Sequence, residues 1–139
     1  MAELDYSKIC RQAVETARER GADFDYSPES ISELERILIG QNELYKQGRI
    51  SDIYVWNLSV MMGVYLGQTL LFCALSERGF AWRTDADGVP YLTDGKDSYV
   101  SPIYQVRSRI TGGPDDNVRA FFEAILDVSF RASMKPPMQ

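Results

Sequence analysis

The stretch IYVWNLSVMMGVYLGQTLLFCALS, residues 53–76, decides the fold. It contains no Asp, Glu, Lys or Arg, and its polar interruptions are Asn57, Ser59, Gln68, Thr69 and two glycines. Apolar side chains fall on every side of a helix drawn through it, including Val55, Trp56, Leu58, Val60, Met61, Met62, Val64, Tyr65, Leu66 and the run Leu70–Leu75. A helix apolar all round is either the centre of a core or a membrane span. Both ends carry stop signals. Ser51 and Asp52 offer oxygens to the free first-turn N–H groups, and Asp52 also suits the positive end of the helix dipole. Arg78 and Gly79 close the other end, the glycine suited to a left-handed residue just past the last turn.

Gly63 and Gly67 lie one turn apart on one face, a spacing that in a membrane makes a dimerisation face. Against a span, Asn57, Ser59, Gln68 and Thr69 interrupt the run, and no Lys/Arg asymmetry flanks it. The other predicted elements also need something to cover. The preferred reading is therefore a soluble core helix whose glycines admit a neighbouring backbone. A membrane-attached dimer through Gly63 and Gly67 stands as the weaker alternative.

Outward from this helix the chain has the length and composition of one domain, expected over residues 1–134, with a disordered tail over 135–139. The acidic start, Met-Ala-Glu-Leu-Asp, lacks the basic and apolar run of a secretory signal. Cys10 and Cys73 sit at apolar helical positions and read as buried thiols in a reducing cytosol, in preference to a disulfide. Fifteen basic and twenty acidic residues leave a net charge of −5 with no histidine. The acidic balance argues against nucleic acid, which needs a basic stripe to neutralise phosphates. The missing histidine removes Ser-His and Cys-His nucleophile pairs and every histidine metal site. No cofactor is expected.

Before the core helix, apolar spacing predicts a helix from about Ala2 to Arg20 with Tyr6, Ile9, Cys10, Ala13 and Ala17 on one face. Gly21 ends it. Ser27-Pro28-Glu29 is a helix start, with Ser30 and Glu33 as a second candidate cap. Ile31, Leu34, Ile37 and Leu38 carry the apolar face, and this helix either breaks at Gly40 or runs on to Gly48. After the core helix, Phe80–Thr84, Val89–Leu92 and Ser98–Val100 predict a three-stranded antiparallel meander packed on the core helix. Pro90 lacks an N–H, so the second strand is expected to be short or at an edge. Ser101-Pro102 opens a helix with Ile103, Val106, Arg107 and Ile110 at helical spacing. Gly112-Gly113 stops it, and Pro114 with Asp115-Asp116 opens a last helix striped by Val118, Phe121, Phe122, Ile125 and Ser129. The fold class is α+β.

Candidate chemistry is sparse. Asp85-Ala86-Asp87-Gly88 resembles a cation loop, but its glycine comes two places early for a calcium loop, and Asp-Gly is a favoured hairpin pair. Gly112-Gly113-Pro114-Asp115 lacks the Lys-Ser/Thr ending of a phosphate loop. Glu43, Glu77, Asp94, Asp97 and Asp116 offer carboxylates, and Arg83, Arg107 and Arg109 offer guanidinium groups for an anion, without a spacing that selects them. Trp82, Tyr91, Tyr99 and Tyr104 are candidate interface aromatics, flanked by Asp85 and Asp87. For Trp82 a plug between sheet and core helix is preferred; for the tyrosines core and interface are equal.

The entry Asp25-Tyr26-Ser27-Pro28-Glu29-Ser30, the segment Gly63–Gln68, the strand Gly79-Phe80-Ala81-Trp82, the Ser101-Pro102-Ile103 opening and the Phe121-Phe122 helix together resemble a group of small bacterial domains of unknown function. The resemblance spans about three-quarters of the chain. It implies a compact α+β fold in a bacterial cytosol and no particular activity. Members of that group usually carry an acid after the second glycine, where this chain has Gln68. The expected function is a non-enzymatic interaction protein, of immunity or adaptor type, binding a basic protein as monomer or homodimer. The alternative is a small-molecule-binding or enzymatic domain using carboxylates and arginines.

Overall fold

A computed structural model describes residues 4–134. Five helices and a three-stranded antiparallel sheet give the expected α+β architecture. Helix α1 spans Tyr6–Glu19, α2 Pro28–Lys46 and α3 Asp52–Leu70. Without a break, α3 passes into a π-helical segment, Leu71–Leu75, and a 3₁₀ turn, Ser76–Arg78. The strands are β1 Ala81–Thr84, β2 Pro90–Thr93 and β3 Tyr99–Val100; helices α4, Pro102–Thr111, and α5, Val118–Met134, close the chain. The predicted tail, 135–139, lies outside the described residues.

The core helix begins and ends where its signals lie. Ser51 Oγ accepts from the Tyr54 N–H at 3.1 Å, and Gly79 takes a left-handed φ of 81°. Met62, Val64, Tyr65, Leu66 and Leu70 are fully buried. The run is long and apolar enough to cross a membrane, but 61% of its most apolar window is buried inside the protein. It is not enclosed throughout: Ile53 and Phe72 are 75% and 79% exposed.

The two glycines pack within the chain. A Cβ on Gly63 would stand 2.5 Å from the Ile103 Cα, and one on Gly67 would strike the Trp82 indole. Helix α4 therefore lies almost backbone to backbone on α3, and Trp82 fills the next gap along. The glycine face that could serve a membrane dimer is thus taken by the chain's own α4 and β1.

Several boundaries depart from expectation. Helix α1 starts at Tyr6, not near Ala2, because the Asp5 side chain accepts from the Lys8 N–H and caps it there. Helix α2 runs through Gly40 to Lys46, its start capped by Ser27. Ser30 is no cap: buried, it gives its hydroxyl to the Ser27 carbonyl and shares a hydrogen bond with the Tyr65 hydroxyl. Strand β2 is short, as Pro90 requires, but central. Pro90 is tolerated because β3 pairs only with Leu92 and Thr93 and does not reach it. The sheet lies chiefly against α4, and reaches α3 through Trp82. Ser101 makes no side-chain cap, and Pro114–Asp116 forms a separate 3₁₀ turn. The true cap of α5 is Asn117, whose Oδ1 accepts from the Ala120 N–H at 2.9 Å.

Tyr65 pins the α1–α2 connection to the core. Its hydroxyl accepts from the Tyr26 N–H at 2.9 Å, and its ring stacks on Phe24 at 4.3 Å. Tyr26 is held at φ 64°, a costly conformation for a bulky residue. On the other side of the molecule, Glu35 and Arg109 form a buried ion pair, Nε to Oε2 2.7 Å, and Glu35 Oε1 accepts from the Val118 N–H. One carboxylate thereby joins α2, α4 and the start of α5.

Two outcomes follow. Gly63→Ala should destabilise by about 3 kcal/mol or more, since the new methyl meets backbone that no rotamer change can clear; urea unfolding measures it, and a near-neutral result would mean α3 and α4 are not in such close contact. Alkaline pH should also weaken the fold. Burial pushes the Cys10 thiol from its ordinary 9.0 up to about 11 and raises Tyr65. Between those values the unfolded thiol ionises while the folded one keeps its proton, so stability present below pH 9 is lost as pH rises toward 11. Urea midpoints measured from pH 8 upward should fall, and Cys10→Ala should flatten part of that fall.

Candidate interaction face

Helices α2, α3 and α4 leave an open groove of about 570 Å³ where the end of α2 meets the start of α3. Tyr45, Asp52, Trp56, Tyr104, Arg107 and Thr111 line it. The Tyr45 hydroxyl donates to Asp52 Oδ1 at 3.2 Å. The Trp56 and Tyr104 rings are tilted against each other with centroids 6.0 Å apart. Arg107 lies over Trp56 at 5.8 Å from the ring centre, and it makes no ion pair among the described residues.

Tyr104 links this groove to the sheet. Burial raises its hydroxyl pKa, and the charges of Asp85 and Asp87 raise it further. Those aspartates belong to the β1–β2 hairpin. Asp85 Oδ1 accepts from the Asp87 and Val89 N–H groups, each at 2.9 Å, and the Asp85 carbonyl accepts from Gly88. This is turn chemistry. On the far side of Asp85 a smaller concavity of about 250 Å³ is lined by Tyr91, Tyr99 and Ser101.

Five of the six candidate interface residues, Asp85, Asp87, Tyr91, Tyr99 and Tyr104, therefore come together on one surface. Trp82 does not join them. It faces inward, stacked on Tyr6 at 4.8 Å and donating from its indole to Gln68 Oε1 at 2.8 Å. The alternation of β1 and β2 explains the split, since Trp82 pairs with Leu92 on the inner face and Arg83 with Tyr91 on the outer. Gln68, where an acid was expected from the resemblance, is an acceptor for the plug.

Tyr45, Asp52 and Trp56 were not legible as site residues. Trp56 reads as core in a helix apolar all round, yet it is only half buried and walls the groove. The arginines do not gather: Arg109 is buried against Glu35, Arg83 is on the sheet, and Arg107 is over Trp56. Arg107 is exposed, and Arg109 takes the inward position on α4 beside Val106 and Ile110. The signal was present, because Glu35 and Arg109 each sit on the apolar face of their helix. Of the candidate carboxylates, Glu43 pairs with Lys46 and Asp94 is held below the usual carboxylate range by the Lys96 N–H in a turn. Among the described residues no group of three or more Cys, Asp or Glu is placed to hold a metal ion.

No protein-family model, curated protein or solved structure matches the chain.

Asp85→Ala should cost about 1 kcal/mol or more by stripping two N–H groups of their acceptor, whereas Asp85→Asn keeps that oxygen and most of the stability. Both should lower the Tyr104 pKa by removing a facing charge; spectrophotometric titration checks this, and an unmoved Tyr104 would separate it from Asp85.

Proposed function

We propose that this chain is a non-enzymatic interaction protein, a cytosolic module of immunity or adaptor type that binds a basic protein through its aromatic and acidic face. The carrying observation is that Asp52 lines a groove with Tyr45, Trp56 and Tyr104, and that Asp85 and Asp87, whose charges act on Tyr104, adjoin the concavity of Tyr91 and Tyr99. Amphipathic rings bury area with little loss of side-chain freedom, and they are enriched where proteins bind. Carboxylates beside them steer an oppositely charged partner and set the rate of association. The net charge of −5 likewise favours a positively charged partner.

A second reading, a small-molecule site, draws on one feature. Arg107 lines the larger groove without an ion pair among the described residues and suits a carboxylate or phosphate. A ligand that raises the melting temperature of the native protein but not of Arg107→Gln would favour it.

The experiment is affinity capture from host lysate at low and moderate salt, followed by binding kinetics with the purified partner. One basic protein should be held in stoichiometric amount, with association slowing as salt rises. Trp56→Ala and Tyr104→Ala should each weaken binding about tenfold or more, as expected of interface anchors, while Phe130→Ala on α5 should not. A partner bound equally by the Trp56 and Tyr104 variants would overturn this face as the interface.

A further inference from the structure

Aromatic rings in this protein attract its own arginines. Arg78 lies over Phe80 at 5.6 Å and Arg107 over Trp56 at 5.8 Å. Tyr91 and Tyr99 are the contrasting pair. Their rings stand at 89° with centroids 6.2 Å apart, and no Lys or Arg of the described residues lies over either. They form two walls of the concavity of about 250 Å³ that Asp85 and Ser101 complete.

We propose that Tyr91, Tyr99 and Asp85 form a receptor for one guanidinium side chain, an arginine presented by the basic partner. This rests on the preceding reading and names the group that the smaller concavity receives. The cavity is below the roughly 300–1,000 Å³ of small-molecule sites and suits the end of one side chain. Tyrosine faces carry the negative potential that attracts a cation. Asp85 Oδ1 accepts from two turn N–H groups, which fixes the carboxylate at the concavity, and the Tyr104 hydroxyl faces the same carboxylate from the groove side. A guanidinium can lie flat against a ring while donating in its own plane, which an ammonium cannot. Charges around it include Asp87 on the same hairpin, Asp97 beside Tyr99, Arg107, which acts with Asp85 on Tyr104, and Arg83, the cross-strand neighbour of Tyr91. Arg83 is exposed and adds a cation at the rim, so Arg83→Gln should tighten binding.

The test uses the whole protein with tyrosine-labelled NMR and the probe N-acetylarginine methylamide. Its uncharged near-isostere, N-acetylcitrulline methylamide, is the control. Saturable shifts of the Tyr91 and Tyr99 ring signals with the arginine probe alone are expected. They should be lost in Tyr99→Leu, an exposed position where the fold is not at stake, and reduced in Asp85→Asn. N-acetyllysine methylamide should give smaller shifts; equal or larger ones would overturn the guanidinium assignment. Shifts scattered over the acidic surface, matched by citrulline, or absent would overturn the receptor. If the probe fails while Trp56→Ala and Tyr104→Ala still weaken partner binding, the receptor falls and the wider interface stands. If the probe binds at Tyr91 and Tyr99 while those variants leave partner binding intact, the wider interface falls instead.

Discussion

The fold depends on how closely α4 can approach α3. Interiors are packed as densely as organic crystals, so one methyl group at the wrong place separates two helices along their length. At Gly63 there is no room for one, since the Ile103 backbone occupies the place of a Cβ. At Gly67 the Trp82 ring does the same, with Pro102 beside it. These contacts seat α4 and the sheet against the same stretch of α3. The rest of the molecule is arranged around that seam, with α1 on another side of α3 and α2 spanning α4 and α5.

Two polar clusters hold the outer helices to this seam. Tyr65 and Ser30 join α3 to α2 and pull Tyr26 into its left-handed conformation, with the Cys73 thiol facing the Tyr26 carbonyl at 3.7 Å. Glu35 ties α2 to α4 and α5 by an ion pair and a backbone hydrogen bond. Such a buried pair contributes little net stability against an apolar replacement, but losing one partner strands a charge at a cost of about 3–5 kcal/mol. Among the described residues the Arg109 Nη1 atom has no hydrogen-bond partner. The pair's consequence is mainly one of register, as a slipped α2 would separate the two charges.

The candidate face is a by-product of the same geometry. Because Trp82 must turn inward to cover Gly67, strand alternation turns Tyr91 outward on the neighbouring strand. Because α4 lies on α3, Tyr104 meets Trp56 at the groove and faces the hairpin that carries Asp85. A surface of rings and carboxylates therefore lies beside the close contact of α4 with α3. A binding site mounted on such a frame loses little freedom when a partner arrives.

The local elements were readable from residue patterns. The capping by Ser27 and Ser51, the Gly79 stop and the strand alternation are decided by neighbours a few residues apart, where backbone geometry and hydrogen bonding act directly. Asp5 and Asn117 escaped that reading because a cap is only one local choice among several nearby oxygens. The candidate tyrosines and aspartates were also visible as residue types. Their convergence was not. Trp56 and Tyr104 meet only because two glycines let α4 onto α3, and Trp82 leaves the face only because the register sends it inward. By itself the sequence determined that an uncharged helix would be the centre of a core or a membrane span, and that further helices and a short meander would accompany it. Which residues share a surface was decided by tertiary packing alone, because contacts between distant segments depend on shape and close approach that no local pattern encodes.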